Sequence, residues 1–577
     1  MSLTSSLNIG HSALIASQLA LQVTGNNLAN VATPGYTRQL AILSPQRGSG
    51  LSGQNTGRGV RVIAVQRQVD EALQARLWTS VSRQSAASSE LQVLSQIEST
   101  LNELSGFDIS TAMSDFFSIW SEGGNLTQVG STIAQQGEAL ASHLRQVRLE
   151  LVAQREQVDG QLAAAVRQAD ATLNEIARLN QEIVSAEAGG GTAGALRDQR
   201  SILVTELSQF VNINTIEQRN GNLDVFVGST PIVLGGRSRG LTMSRTSEGN
   251  EIKVSVSVRA DGMKLPIESG TIGSLLANRD GMVAGTIDKL DMLAGQLIFR
   301  VNRMHATGRN EDGFASLTST LAMSPADQAR ALNDPNNAAM ANLPFAPVNG
   351  GFLVSVVNKT TNATEIIRID VDLDGIDASG NVGFADDTSL DDIAAALNAI
   401  SGLSASISPN GQLNITAAPG HSFSFSEDSS DVLATLGVNS FFSGSSAGDI
   451  TVREDLLTNP SGVTLGRDVG GVFVANGTAL EIVSVQSEAL TAFGSMSVEE
   501  FWSGTVSELG IKAGTAKTNA DASFIVRESL QAQRDATSGV SIDEESINLM
   551  NFQRAYQGAA RFISIINELT NTLISLV

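Results

Sequence analysis

Few stretches of this sequence place reactive side chains close together. Asp370, Asp372 and Asp374, followed by Gly375, have the spacing and the glycine that open a Ca²⁺ loop of the EF-hand type. Such a loop needs a bidentate glutamate at its twelfth position, where this chain has Asn381, and no helical pattern leads into it. Ile367, Ile369, Val371 and Leu373 alternate with Arg368, Asp370, Asp372 and Asp374. The stretch therefore reads as a half-buried strand with a charged outer face, and no metal is assigned to it. Gly444, Ser446 and Gly448 match G-x-S-x-G, the nucleophile elbow, which requires a strand before it, a helix after it, and an acid and a histidine downstream. No histidine follows His421, and Ile450 to Val452 reads as extended. The other histidines, His11, His143 and His305, are scattered without H-E-x-x-H spacing, and no cysteine exists to complete a zinc site. His305 closes a helical pattern, where a cation would offset the helix dipole. No phosphate-binding loop or dinucleotide fingerprint follows a strand. Catalytic residues, cofactor and metal are all read as none, and the chain is not read as an enzyme.

The informative patterns lie instead at the two ends. Leu3, Leu7, Gly10, Leu14, Ser17, Leu21, Thr24, Leu28 and Val31 follow an alternating 4-3 spacing with leucine at every seventh position from Leu7 to Leu28. A period of 3.5 presents one seam of a helix to a partner helix, and the small residues between the leucines leave one edge thin enough for close approach. Pro34 is read as the stop, and Thr33 to Tyr36 as a type II turn with Pro34 and Gly35 at its centre. Leu549, Phe552, Tyr556, Ala559, Ile563, Ile566, Thr570, Leu573 and Val577 repeat the spacing to the last residue, after a capping box from Ser541 to Glu544. Two such helices either pair with each other or pack on the core of a globular domain.

Between the ends, the period changes several times. Gly48 to Gly59 is a Gly- and Ser-rich loop, followed by a short strand from Val60 to Val65. Helical patterns run through Leu73, Leu77, Leu91, Leu94, Ile97, Leu101 and Leu104. A long one follows from Val129 to Ala186, with Gly160 as a possible kink, and another from Leu196 to Phe210. Val211 to Glu268 alternates like a small β domain, and Ile272 to His305 is helical. Ser316 to Gly350 reads as irregular, Gly351 to Val452 as β-rich with a helix from Asp391 to Ile400, and Val498 to Ala536 as a long helix. The fold class is multidomain α+β, with terminal coiled-coil helices and a long helical-bundle rod carrying two inserted β-rich domains. The boundaries are 1–47 plus 541–577 for the coiled coil, and 48–210 plus 271–349 plus 453–540 for the rod. Residues 211–270 form the small β domain and 351–452 the larger insert.

Composition narrows the function classes. The net charge of −22 over 577 residues argues against nucleic acid as a partner, although no acidic residue precedes Asp70 while five arginines do. No run approaches the roughly 18 to 20 apolar residues of a membrane span. The first thirty residues lack the basic flank and unbroken apolar core of a secretory signal, so sequence physics alone points to the cytoplasm.

Asn26, Asn27, Leu28 and Asn30 with Thr33, Pro34, Gly35 and Tyr36 resemble the N-terminal signature of the bacterial flagellar axial proteins. Gln553, Arg554, Ala555 and Tyr556, after Phe552, resemble their C-terminal signature. Rod, hook and hook-associated proteins share both. The stretches 196–200 with 206–211, 301–308 and 436–444 resemble the hook-associated members. Ala32, where the family often has Asn, and Gly558, which costs a helix about 1 kcal/mol relative to Ala, depart from the pattern. The resemblance implies a structural subunit joining hook to filament, needed for filament assembly and motility. Leu7, Leu14, Leu21 and Leu28 would pack against Phe552, Tyr556, Ile563, Ile566 and Leu573 in an inner core, with the β domains outside. It further implies self-association in a helical ring, with hook protein on one side and a second junction protein on the other. Export would run through the type III apparatus with a chaperone, the termini staying disordered until assembly outside the cell. A hook or rod protein, or a surface adhesin with β domains on a helical stalk, are the alternatives.

Overall fold

The computed structural model describes residues 3–46, 57–103, 106–122, 129–248, 251–341, 343, 345–377, 379–470 and 472–575. They divide into two compact units, one from Met1–Val93, Gln157–Asp280 and Ala513–Val577, the other from Leu94–Glu156 and Gly281–Lys512. Most of the Gly- and Ser-rich loop, together with Leu104 and Val577, lies outside the described residues.

In the first unit the N-terminal helix, Leu3–Ala29, lies against the C-terminal helix, Ile542–Ser575. Gly10 faces Ile563 while Asn27 reaches Glu545, so the two run antiparallel. The first helix ends at Ala29, well before Pro34. The Asn30 side-chain amide donates to the Asn26 carbonyl (2.9 Å) and the Thr33 hydroxyl to Asn30 Oδ1 (3.3 Å), local bonds that compete with the helix ladder. Val31 consequently falls outside the helix and is exposed. The expected turn is present, with Tyr36 N–H donating to the Thr33 carbonyl (3.2 Å) and Gly35 at φ +77°, the left-handed value that a type II turn reserves for glycine.

Beyond the turn, Gln39–Pro45 pairs antiparallel with Val60–Arg67, so the second strand is half of a hairpin. Its first strand was not legible because both faces are partly exposed and no clean alternation results. Leu73, Leu77 and Val81 pack with Leu530. The small β domain is a four-stranded antiparallel sheet of Asn214–Glu217, Leu223–Val227, Thr230–Leu234 and Arg237–Ser238, plus the hairpin Leu241–Glu248 with Glu251–Val258.

The second unit contains a helix that the spacing analysis passed over, Ile109–Glu122, although Ile109, Met113, Phe116, Phe117 and Trp120 follow a helical period. All five are buried, and Phe116 and Trp120 meet the rings of Phe441 and, for Phe116, Phe442. Fully burying one such ring is worth roughly 1.5–3 kcal/mol. The larger insert carries the sheet Ala363–Val371, Gly350–Asn358, His421–Ser426. A second sheet is Ser316–Thr318, Leu413–Ala417, Leu403–Ile407, and Leu390–Asn398 is a helix. The stretch expected to be irregular therefore donates a strand to the insert. The long helices Val129–Glu187 and Val498–Ser538 are unbroken, including at Gly160. No helix among the described residues is long and apolar enough to cross a membrane.

Candidate assembly interface

The helix pair at the termini is held by small residues more than by leucines. Gly10, Ala16, Ser17, Ala20, Val23, Thr24 and Asn27 are buried, while Leu7, Leu14, Leu21 and Leu28 are half-buried at the margins. A Cβ on Gly10 would stand 2.8 Å from Ile563 Cγ1 and 3.0 Å from Phe562 Cδ1, so the helices cross there at a distance only glycine permits. On the opposing helix Glu545, Ala559 and Ile566 are buried, and Phe552, Tyr556 and Ile563 half-buried. Leu573 is exposed, as are Ile547, Met550, Phe562, Ile565 and Leu569. On the C-terminal helix the expected seam thus lies on or beside the face used within the chain, Leu573 alone of its described members being exposed, and a second apolar stripe is left open next to it.

A polar knot closes the other end of the pair. Asn27, 1 % exposed, donates to the Gln39 carbonyl (2.8 Å) and to Glu545 Oε2 (3.1 Å). Its Oδ1 accepts from Gln39 N–H (3.0 Å) and from the Tyr36 hydroxyl (2.9 Å). Glu545, also 1 % exposed, is neutralised by Arg38, whose Nε lies 2.8 Å from Oε1. Burial and the nearby charges of Asp198 and Glu545 push the Tyr36 phenol up to about 12, so it stays a donor across the accessible pH range. Arg38 also pairs with Glu544 (2.7 Å). That corrects the expected capping box. Ser541 Oγ accepts from Glu544 N–H at 3.4 Å, but Arg38 takes the carboxylate that would have capped in return.

The turn and hairpin are fastened by the 196–200 stretch. Asp198 accepts from Thr37 N–H (3.4 Å) and pairs with Arg67 (2.8 Å). Arg197 bridges both oxygens of Glu187 (2.7 and 2.8 Å). Arg200 is buried, donating to Asn180 Oδ1 (2.9 Å) and the Gly221 carbonyl (2.6 Å) and pairing with Glu217 (3.0 Å). Asn180 in turn binds the Leu223 and Gly235 carbonyls, tying the helix to the four-stranded sheet.

In the second unit His305 does not act as a helix-end cation. It is fully buried, Nδ1–H donates to the Asn439 carbonyl (2.7 Å), and Nε2 accepts from Thr464 N–H (3.1 Å). Desolvation lowers it to about 4, so the ring is neutral. Asn439 returns a bond to the His305 carbonyl (2.7 Å), and Asn302 accepts from Phe441 and Phe442 N–H (2.9 and 2.8 Å). The 301–308 and 436–444 stretches are therefore two halves of one lock. After it, Ser445 and Ser446 hydroxyls donate to Asp449 (3.2 and 2.9 Å), and the chain enters the short strand Thr451–Val452. The strand–turn–helix setting of a nucleophile elbow is not formed.

A family model described as the flagellar hook-associated protein FlgK helical domain matches residues 94–317. Models for the flagella basal body rod protein, the flagellin hook IN motif and the C-terminal part of flagellar basal body rod FlgEFG proteins match 7–37, 370–418 and 531–576. Flagellar hook-associated protein 1 of Escherichia coli K12 is 26 % identical over 590 residues, and that of Salmonella typhimurium 26 % identical over 597, each alignment covering 100 % of both chains. The Bacillus subtilis protein of that name is 23 % identical over 99 % of this chain and 97 % of its own. Over its full length the chain is similar to flagellar hook-associated protein 1. A solved flagellar hook junction protein FlgK from Burkholderia pseudomallei is 16 % identical and aligns over 81 % of this chain and 100 % of its own, with a TM-score of 0.49.

The N-terminal signature divides by role. Asn27, Gly35 and Tyr36 form the knot and turn, whereas Asn26, Asn30, Thr33 and Pro34 stay largely at the surface and shape the chain around the helix end. Leu28 is half-buried. In the C-terminal signature Tyr556 is half-buried, and Gln553, Arg554 and Ala555 are exposed. Sequence reasoning missed Arg38, Arg67, Asp198 and Glu545. Glu545 carried a signal, since a carboxylate four residues before Leu549 stands on the apolar seam and calls for a cation.

Proposed function

We propose that the chain is a structural subunit of the bacterial flagellum that joins hook to filament and is required for filament assembly and motility. The observation that carries this reading is full-length similarity to flagellar hook-associated protein 1, at both ends of the chain and through the middle. The antiparallel terminal pair supports it, because its open apolar stripe is suited to packing on identical neighbours. Contacts between like subunits that do not close on themselves build helical assemblies. The finer reading is self-association in a helical ring, with hook protein below and the second junction protein above. The chain would reach that place outside the cell through the type III apparatus, accompanied by an export chaperone. Residues 1–47 plus 541–577 form the inner core, 48–210 plus 271–349 plus 453–540 the rod, and 211–270 and 351–452 the outward-facing modules. Leu7, Leu14, Leu21, Leu28, Phe552, Tyr556, Ile563, Ile566 and Leu573 serve the packing of subunits.

Deleting the gene tests the reading. Electron microscopy should find hooks without filaments, and flagellin should accumulate in the medium. Missing hooks would move the protein into the rod or hook, and intact filaments would favour an adhesin. Complementation with Leu21→Asp or Ile563→Asp should fail while the β domains remain folded, and normal motility in either strain would sink the packing assignment.

A further inference from the structure

The larger insert holds a group of carboxylates that the assembly reading does not use. Strand Ala363–Val371 ends at Val371, and the chain loops through Asp372 to Asp387 before the helix Leu390–Asn398. One carboxylate oxygen from each of Asp372, Asp374 and Asp387 lies within 4.8 Å of the other two. Two ligands on opposite sides of Ca²⁺, each at about 2.4 Å, have that separation. Among the described residues none of the three carboxylates forms an ion pair, whereas Asp370 is paired with Arg368 (2.7 Å). Backbone bonds fix the orientation of each group. Asp374 Oδ1 accepts from Ile376 N–H (2.8 Å), Asp372 Oδ1 from Asp374 N–H (3.4 Å), and Asp387 Oδ2 from Gly375 N–H (3.2 Å).

An independent observation comes from burial. Asp387 is only 4 % exposed, and its Oδ1 is sealed from solvent with no hydrogen-bond partner among the described residues. Asn333, whose amide donates to Asp387 Oδ2 (2.6 Å), likewise leaves its own Oδ1 buried and unpaired. A buried carboxylate with one oxygen unserved, next to two further carboxylates, is costly unless a cation answers it. We propose that Asp372, Asp374 and Asp387 bind a divalent cation of the Ca²⁺ type. An all-oxygen set excludes soft metals and favours hard cations, and a loop with two exposed ligands suits the looser coordination of Ca²⁺ over the strict octahedron of Mg²⁺. Along the sequence the stretch lacks the closing glutamate, Asn381 standing in its place. The fold supplies Asp387 in that role instead. The bound ion would join the end of one strand to the start of the helix, a junction already drawn together by Thr388 N–H on the Asp372 carbonyl (2.7 Å).

Isothermal titration of the full chain, freed of metal with EDTA and titrated with CaCl₂ at physiological salt, tests the assignment. The expected result is one saturable site per chain with Kd on the order of 0.1–1 mM, as in extracellular calcium modules, and at least about tenfold weaker binding of Mg²⁺. Asp374→Asn and Asp387→Asn should each weaken the site at least tenfold, and Asp370→Asn should leave it unchanged. Asp374 is exposed, so its variant should keep the parent circular dichroism, and that spectrum separates loss of the site from loss of the fold. Absence of saturable binding up to about 10 mM, well above that range, would overturn the proposal, as would a site indifferent to Asp374→Asn in folded protein.

Discussion

Asn27→Ala probes the terminal helix pair most directly, because one side chain there serves three segments. It donates to the Gln39 carbonyl and Glu545, and accepts from Gln39 N–H and the Tyr36 hydroxyl. Alanine removes all four bonds. Gln39 and Tyr36 are half-buried, so water replaces part of what they lose, and Glu545 keeps Arg38 but gives up its second donor at a buried oxygen. At about 1 kcal/mol for a net hydrogen bond and somewhat more for the charged one, the loss is about 3 kcal/mol. That corresponds to about a hundredfold rise in the opening equilibrium of the pair. Asn26→Ala is the control, since Asn26 is exposed and its side chain accepts a local bond from Asn30 (3.0 Å) and reaches the knot only through a long bond to the Tyr36 hydroxyl (3.5 Å). It should cost no more than about 0.5 kcal/mol. Hydrogen exchange on the full-length monomer, read in peptides from 3–29 and 542–575, should show faster exchange in Asn27→Ala and almost none of that change in Asn26→Ala. Equal exchange in the two variants, or no change in either, would refute the knot as the clasp of the helix pair.

Two further outcomes follow from single contacts. Gly10→Val places branched carbon where even a Cβ comes within 2.8 Å of Ile563, and overpacking of this kind costs about 1–3 kcal/mol; limited proteolysis should cut the C-terminal helix sooner, and an unchanged cleavage pattern would deny the close crossing. His305 falls from 6.5 to about 4 on folding, so between those pH values the unfolded chain binds more protons than the folded one. Its contribution is complete above pH 6.5 and disappears as pH falls through about 4, amounting to about 3 kcal/mol. Urea unfolding followed by tryptophan fluorescence should therefore show a steeper loss of stability between pH 6.5 and 4 in the parent than in His305→Gln, and parallel slopes would contradict a neutral buried ring.

Periodicity made the helices legible and left their partners ambiguous. The 4-3 spacing located both terminal helices, and the type II turn followed from Pro34 and Gly35, because local rules govern both. The leucines were expected to form the buried seam, but the spacing of a helix fixes a face only to within one strip of residues. Gly10, Ser17 and Thr24 won the inner position because an antiparallel partner can come close over small side chains, pushing Leu7, Leu14 and Leu21 to the edges. The ion pairs Arg38–Glu545 and Arg67–Asp198 were invisible for another reason. Their partners lie hundreds of residues apart or on different elements, and no pattern along the chain encodes such a meeting. His305 was misread because a histidine at a helix end looks solvent-facing until Asn439 and Thr464 close over it.

The exposed stripe sets how the proposed subunit can assemble. Ile547, Met550, Phe562, Ile565, Leu569 and Leu573 on the C-terminal helix and Ile15 on its partner each keep roughly half of their surface open, between 39 and 55 %. Covering the remainder of one such side chain gains about 1 kcal/mol, so the whole stripe is worth about 7 kcal/mol. Bringing two chains together costs about 4–15 kcal/mol in lost translational and rotational freedom and side-chain ordering. One neighbour thus leaves the balance near zero, and free chains do not pair firmly in solution. A growing end that offers two or more neighbours at once pays the association cost a single time while covering several stripes. Assembly is then favoured at the end of an existing structure and disfavoured elsewhere, as a junction laid on a completed hook requires.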